Sequence, residues 1–284
     1  MEPELTFSGG LVGAMTVLFA VCVLLPAMYY VWTVYRRRFN HVAMLGGLAC
    51  FFFFAYFLAQ SLLRLVLPTG PTGAGMWGYG ILRSLCVTAC EIGGITLTLW
   101  FLHRQQHATV RVPIGFALGY RLFEMLWLGA VNTVIPLSLA LTVNRDGLAG
   151  VLAAVDETQR SAMELQLRTL AETAPGVYWM STVDYVCRFA LPVALARLIW
   201  YGFEGGRLPE DKRLIAAAFG LEFLCEGMLA LHEAGGSYHL CAAIYYVLVA
   251  GAVCLAYFEA RRRDDPEQLR ADHLKSRVRM KKRY

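Results

Sequence analysis

Charged side chains occur inside the long apolar segments of this sequence, where an unpaired charge would be costly. Five carboxylates and five arginines fall in such segments. They are Arg64, Arg83, Glu91, Arg121, Glu124, Asp184, Arg188, Arg197, Glu222 and Glu226. A carboxylate can take a proton from water, and an arginine can hold a carboxylate through two parallel hydrogen bonds. The set could therefore perform acid–base chemistry or form buried ion pairs.

Position along each segment places six of these residues at a similar central depth. They are Glu91, Arg121, Glu124, Arg188, Glu222 and Glu226. This central layer either consists of salt bridges that fix helix register, or lines one polar chamber that binds or transforms a ligand. The number of carboxylates exceeds what register alone requires, which favours the chamber. The candidate binding residues are Tyr120, Arg121, Arg188, Glu222 and Glu226.

Glu222 and Glu226 are four residues apart and therefore share one helix face. Two carboxylates that close cannot both remain ionised without compensation, which a shared proton, an arginine or a metal ion could supply. No histidine falls in the central layer, so we predict no metal site. The last apolar segment contains no lysine for a retinal Schiff base, and neither a P-loop nor a GxSxG motif occurs. No cofactor is expected.

Seven apolar segments supply these charged positions. Of the 284 residues, 57% are hydrophobic and only 17% are charged, whereas a typical soluble domain has about 25% charged residues. Segments of roughly 20 residues or more can cross a hydrocarbon core of about 30 Å, and in lipid they must be helical to pair their backbone groups. We predict an all-α, polytopic transmembrane bundle. The predicted spans are 11–35, 41–67, 78–103, 111–143, 177–203, 213–232 and 237–260.

The charges between the segments predict the orientation. Connections at 36–38, 103–111 and 204–213 are rich in Lys and Arg, which is typical of cytoplasmic loops. We expect the N-terminus outside, the C-terminus in the cytosol, one transmembrane bundle over 1–260 and a basic cytoplasmic tail over 261–284. The expected location is the bacterial plasma membrane and the expected partner is the lipid bilayer. The basic tail does not require nucleic-acid binding.

The connection between the fourth and fifth spans has apolar residues at helical spacing from about 148 to 170. Glu164 and Arg168 form an i,i+4 pair in this stretch. We predict an amphipathic helix on the outer interface or over the end of the bundle. In the fourth span, Gly115 and Gly119 form a small-xxx-small pattern that predicts close approach of another helix.

Two motif-like stretches, CEIGG at 90–94 and ALGYRLFE at 117–124, are separated by a short basic loop. They resemble the Glu-Glu-Ile-Gly-Arg-like and Gly-Leu-Gly-His-Gly-Gly-x-Glu-like motifs of the YhfC family of intramembrane proteases, relatives of the CAAX-protease and bacteriocin-immunity group. The resemblance extends into the fifth and sixth spans. Cys90 and Gly94 stand where the first motif has its first Glu and its Arg.

The resemblance implies an intramembrane-protease fold with Glu91 and Glu124 at catalytic positions. In such chemistry a Glu activates water, and His residues position the water or the oxyanion. The His positions of the family correspond here to Tyr120, to the vicinity of Pro192 and to the vicinity of Glu222. We therefore predict a non-catalytic protein whose charged layer binds a transmembrane peptide, a lipid headgroup or another membrane protein. An active glutamic-type intramembrane protease and a transporter or channel subunit are the alternatives.

Overall fold

The helical content follows from the long apolar segments, which can satisfy their backbone groups in lipid only through internal hydrogen bonds. A computed structural model describes residues 5–36, 39–67, 71–105, 111–203 and 211–263. Within these residues the protein is 92% helical and contains no strand. The predicted all-α fold is confirmed. The part of the predicted basic tail that follows Arg263 lies outside the described residues.

Ten α-helices and two π-helical segments make up the described chain. The α-helices are α1 (Gly9–Tyr35), α2 (His41–Cys50), α3 (Ala59–Val66), α4 (Pro71–Gln105), α5 (Arg111–Phe123), α6 (Asn132–Ala153), α7 (Glu157–Glu172), α8 (Pro175–Phe203), α9 (Lys212–Glu233) and α10 (Tyr238–Arg263). One π-helical segment, Phe51–Leu58, joins α2 to α3, and the second, Glu124–Val131, joins α5 to α6. Such segments widen the helix by one residue per turn and are frequent at functional sites.

Seven helical stretches are long and apolar enough to cross a membrane, which confirms the predicted number of spans among the described residues. They are Gly9–Tyr35, His41–Val66, Trp77–Gln105, Arg111–Ala153, Pro175–Phe203, Lys212–Glu233 and Tyr238–Arg262. The fourth stretch continues ten residues beyond the predicted end at 143. It bends at Gly147, whose φ of 74° is a left-handed value that glycine adopts without strain.

The chain packs as two compact units, and two of the three division points, after Tyr120 and after Phe189, fall inside helices α5 and α8. Unit 1 contains the described residues of Met1–Arg37 and Arg121–Phe189. Unit 2 contains the described residues of Arg38–Tyr120 and Ala190–Tyr284.

The core of unit 1 is formed where α7 packs against α1 and α6. Leu167 of α7 is fully buried in a cluster with Leu11 and Met15. The predicted helix at 148–170 is divided, because α6 ends at Ala153 and α7 begins at Glu157. Asp156, a favourable residue type just before a helix, lies in the break, and its carbonyl accepts the first backbone hydrogen bonds of α7. The location of α7 on the outer interface stays a prediction.

Close backbone approach between α2 and α5 holds one part of unit 2 together. A Cβ atom on Gly119 would lie 1.8 Å from the Met44 carbonyl oxygen, and one on Gly115 would lie 2.4 Å from the Asn40 carbonyl oxygen. From the other side, a Cβ atom on Gly47 would lie 2.0 Å from the Phe116 carbonyl oxygen. Larger residues would separate the two helices, so the close approach predicted from Gly115 and Gly119 is confirmed.

Candidate functional site

In unit 1, the end of α5 and the middle of α8 bring two arginines to one carboxylate. Arg121 and Glu124 are three residues apart and therefore face the same side of their helix. Arg121 donates a hydrogen bond from Nη1 to Glu124 Oε2. Arg188, 64 residues further along the chain, donates from Nη1 to Glu124 Oε1 at 3.1 Å. We call Arg121, Glu124 and Arg188 the arginine–glutamate triad.

The three side chains of the triad differ in their exposure. The exposed fraction is 6% for Glu124 and 10% for Arg121, but 42% for Arg188. Glu124 begins the second π-helical segment. Gly129 of the same segment allows a close approach of α1, since a Cβ atom on Gly129 would lie 2.5 Å from Cys22 Sγ. The carboxylate is thus enclosed while one of its two guanidinium partners stays accessible.

In unit 2, a second expected site residue is held by a hydroxyl group. The Tyr120 hydroxyl donates a hydrogen bond to Glu91 Oε2 at 2.8 Å. Tyr120 is fully buried and Glu91 is 8% exposed. The Tyr120 ring packs edge-on against Phe51 and stacks on Phe116, so apolar neighbours fix the direction of its hydroxyl. Glu91 of α4 is consequently tied to α5 by a buried, charge-assisted hydrogen bond.

A third group of charged residues, the second one in unit 2, joins α4 to α9. Arg83 Nη1 lies 3.6 Å from Glu226 Oε2, and Arg83 Nη2 lies 3.2 Å from Glu233 Oε1. The Tyr79 hydroxyl donates to Glu233 Oε2 at 3.2 Å. An arginine therefore compensates Glu226, one of the three possibilities that the sequence left open. Glu222, also on α9, is buried with 2% exposure.

Sequence reasoning named most members of these groups but not all of their pairings. Counting residues along each span placed Glu226 in the central layer and Arg83 outside it. The structure nevertheless brings their side chains together, because a long arginine side chain spans more than one turn of helix. Tyr79 and Glu233 were missed. The available signal was spacing: Tyr79 and Arg83 are four residues apart on α4, and Glu226 and Glu233 are seven apart on α9, so each pair shares a face. The single polar chamber that the sequence predicts would need residues from both units, and it stays a prediction.

These observations define an integral, multi-pass helical membrane protein in contact with the lipid bilayer, whose spans contain arginine–carboxylate groups. The profile of the YhfC intramembrane metalloprotease family matches residues 21–248, and the chain belongs to this family. The matched range includes Glu91, Glu124 and every candidate binding residue. No curated protein and no solved structure matches the chain. The resemblance seen in the two motif-like stretches is confirmed at the level of the family.

The family name implies a bound metal ion, which needs several donor side chains close together. A protein-bound metal of a hydrolase takes at least three His, Cys or carboxylate ligands. In the part of the chain that the structure describes, no group of three such side chains could hold one. The histidines among those residues, His41, His103, His232 and His239, lie near helix ends. At Glu124, moreover, two guanidinium groups already surround the carboxylate and would repel a metal cation. The described residues do not fit a metal centre.

Proposed function

We propose that this chain is a non-catalytic member of its family, which binds a transmembrane helix of another protein within the membrane. The observation that carries this proposal is the arginine–glutamate triad, in which both carboxylate oxygens of Glu124 accept hydrogen bonds from arginines. A glutamate at a catalytic position would have to take a proton from water. The two guanidinium groups already occupy both carboxylate oxygens, so they oppose that step.

The geometry at Glu91 supports the same proposal. One of its oxygens accepts the Tyr120 hydroxyl, and the side chain is 8% exposed. A general base needs a carboxylate oxygen within hydrogen-bonding reach of water and donors aimed at the developing oxyanion. Here the hydroxyl that could serve as such a donor is directed at the carboxylate itself. This arrangement stabilises the α4–α5 packing rather than a reacting substrate.

The bound partner would lie in the bilayer, since the charged groups lie in membrane-spanning helices. We propose that the protein is located in a bacterial plasma membrane with its N-terminus outside, as the Lys- and Arg-rich connections favour. A polar group on a partner helix gains from meeting a charged side chain there, because lipid offers it no hydrogen bonds.

Reconstituted protein tests the proposal directly. Vesicles containing the full chain are incubated with fluorophore-labelled single-span peptides, with and without added Zn²⁺ or Co²⁺, and the peptides are then analysed by mass spectrometry. We expect binding by energy transfer, intact peptides, and a metal content of the purified protein far below one ion per chain.

Cleavage that disappears in the Glu91→Gln variant would establish an active peptidase and overturn the proposal. Flux of an ion across the vesicle membrane that disappears in the Glu124→Gln variant would establish transport instead. A catalytically active member of the family, assayed in the same vesicles, provides the positive control for cleavage.

A further inference from the structure

Arg197 is a charged residue inside a membrane span to which the described part of the chain offers no counterion. It lies on α8, about 9 Å along the helix axis before Phe203, where the span ends. Among the described residues Arg197 has neither an ion pair nor a hydrogen bond, and its Nε is buried without an acceptor. A charge at this position is costly unless an anionic group meets it.

His103 places a second unpaired nitrogen at the same end of unit 2, about 3 Å before Gln105, where α4 ends. The His103 ring lies edge-on to the Trp200 ring, with 5.1 Å between the centroids, and 6.2 Å from the Phe203 ring. Its Nε2 is buried and has no hydrogen-bond partner in the described chain. Arg197 and Trp200 are three residues apart, so Arg197 lies on the face of α8 that meets the end of α4.

The sequence around the end of α4 is positively charged. Arg104 follows His103, and its guanidinium carbon lies 4.0 Å from the centroid of the Trp100 ring, which holds the charge beside the span. Between Glu91 and Glu124 the sequence contains arginines but no acidic residue. Basic residues beside the end of a span attract anionic phospholipids.

The depth of Arg197 selects the anion that can meet it. An arginine near the end of a span can lay its stem along apolar surface and carry the guanidinium group toward the headgroup layer. The oxygens of a lipid phosphate there match the donors of the guanidinium fork. A soluble anion would have to leave water to reach the enclosed Nε, whereas a lipid phosphate is attached to acyl chains that already lie beside the span.

We propose that Arg197 and His103 bind the phosphate of an anionic phospholipid at the end of unit 2 where α4 and α8 terminate. Arg197 would donate to two phosphate oxygens through its fork. His103 would donate from Nε2 to a further oxygen when that nitrogen carries hydrogen. The site contains neither Glu91 nor Glu124, so it does not depend on whether the protein is catalytic.

Native mass spectrometry of the full chain in detergent tests this site. The protein is titrated with phosphatidylglycerol or with phosphatidylcholine of the same acyl chains, and the dissociation constant of the first bound lipid is measured. Both lipids carry a phosphate, but the choline group neutralises the second. We expect phosphatidylglycerol to bind about tenfold more tightly, the scale of one hydrogen bond to a charged group. Equal affinity would overturn the inference.

Variants of the protein assign the preference to Arg197. Arg197→Gln should abolish the preference for phosphatidylglycerol. Arg64→Gln is the matched control, because Arg64 also lies near the end of a span without an ion pair among the described residues. It should leave the preference unchanged. A preference that survives in Arg197→Gln, or that is lost equally in Arg64→Gln, would contradict the assignment.

Two further replacements sharpen this assignment. Arg197→Met covers the case in which Arg197→Gln does not fold, because an unbranched apolar side chain suits a membrane span. It should also abolish the preference, and a preference retained in it would overturn the inference. His103→Phe keeps a ring against Trp200 and Phe203 but removes Nε2. It should weaken phosphatidylglycerol binding about threefold, and an unchanged affinity would exclude His103 from the site.

Inorganic phosphate distinguishes a lipid from a free anion. Added to the phosphatidylglycerol complex in amounts equal to the lipid, it should leave the complex intact, and displacement would overturn the assignment to a lipid. Phosphatidylglycerol with a photoreactive group beside its phosphate then locates the site. Cross-links are expected within residues 100–105 and 197–203, and cross-links confined to other segments would contradict the proposal.

Discussion

Two charged groups in this protein contain arginine and glutamate in opposite proportions. In unit 1, two arginines share the single carboxylate of Glu124. In unit 2, the single guanidinium of Arg83 lies between two carboxylates, Glu226 and Glu233. The carboxylate of the first group is 6% exposed, whereas Glu233, at the end of α9, is 47% exposed.

The difference shows how position along a helix sets the cost of an unbalanced charge. Glu233 ends its helix and can be hydrated, so it does not depend on Arg83 alone. Glu124 is enclosed, and its removal would leave two guanidinium groups without their shared anion. Breaking a buried pair by removing one partner costs far more than breaking an accessible one. The following predictions test that ranking.

The largest loss of stability is expected from Glu124→Gln. The substitution keeps the shape of the side chain but removes the charge that Arg121 and Arg188 share. We expect the free energy of unfolding to fall by about 3–5 kcal/mol, measured by SDS titration of the purified protein in mixed micelles. A loss below about 1 kcal/mol would show that Glu124 is hydrated and would remove the contrast between the two groups.

The next largest effect is expected from Tyr120→Phe. This variant deletes the hydroxyl that donates to Glu91 while preserving the ring contacts with Phe51 and Phe116. A hydrogen bond to a charged group contributes about 1.5–3 kcal/mol, so a decrease of that size is expected in the same titration. The double variant with Glu91→Gln should lose less than the sum of the two single losses if the bond couples them.

A smaller loss is expected from Arg83→Gln. Two carboxylates lose their cation, but Glu233 is half exposed and Tyr79 still donates to it. We expect a decrease of about 1–2 kcal/mol in the free energy of unfolding. The control Glu233→Gln keeps the Arg83–Glu226 contact and should cost less than Arg83→Gln; the reverse order would place the main interaction at the end of α9.

The smallest effect is expected from Glu164→Gln in α7. Glu164 accepts hydrogen bonds from Arg168 at 3.0 and 2.8 Å, but both side chains are about two-fifths exposed. Such an i,i+4 pair contributes about 0.3–0.5 kcal/mol, and the loss should shrink further as salt is added. A loss comparable to that of Glu124→Gln would mean that exposure does not rank these pairs.

The sequence by itself determined the number and approximate bounds of the spans, because hydropathy over about 20 residues is a local property that the bilayer thickness converts into a helix. It also determined that α5 could approach another helix closely, since the spacing of Gly115 and Gly119 depends only on helix geometry. The ten charged positions and the resemblance around Glu91 and Glu124 were equally readable from residue types and spacing.

Only the tertiary structure decided which charges meet. Glu124 pairs with Arg188 across 64 residues, and Glu226 meets Arg83 from a different helix, whereas the spacing of Glu222 and Glu226 had left a shared proton, an arginine or a metal ion open as the compensation. The break between α6 and α7, from Ala153 to Glu157, likewise appeared only in the structure. Helical periodicity fixes the face on which a side chain lies, but the partner facing it is set by how distant segments pack.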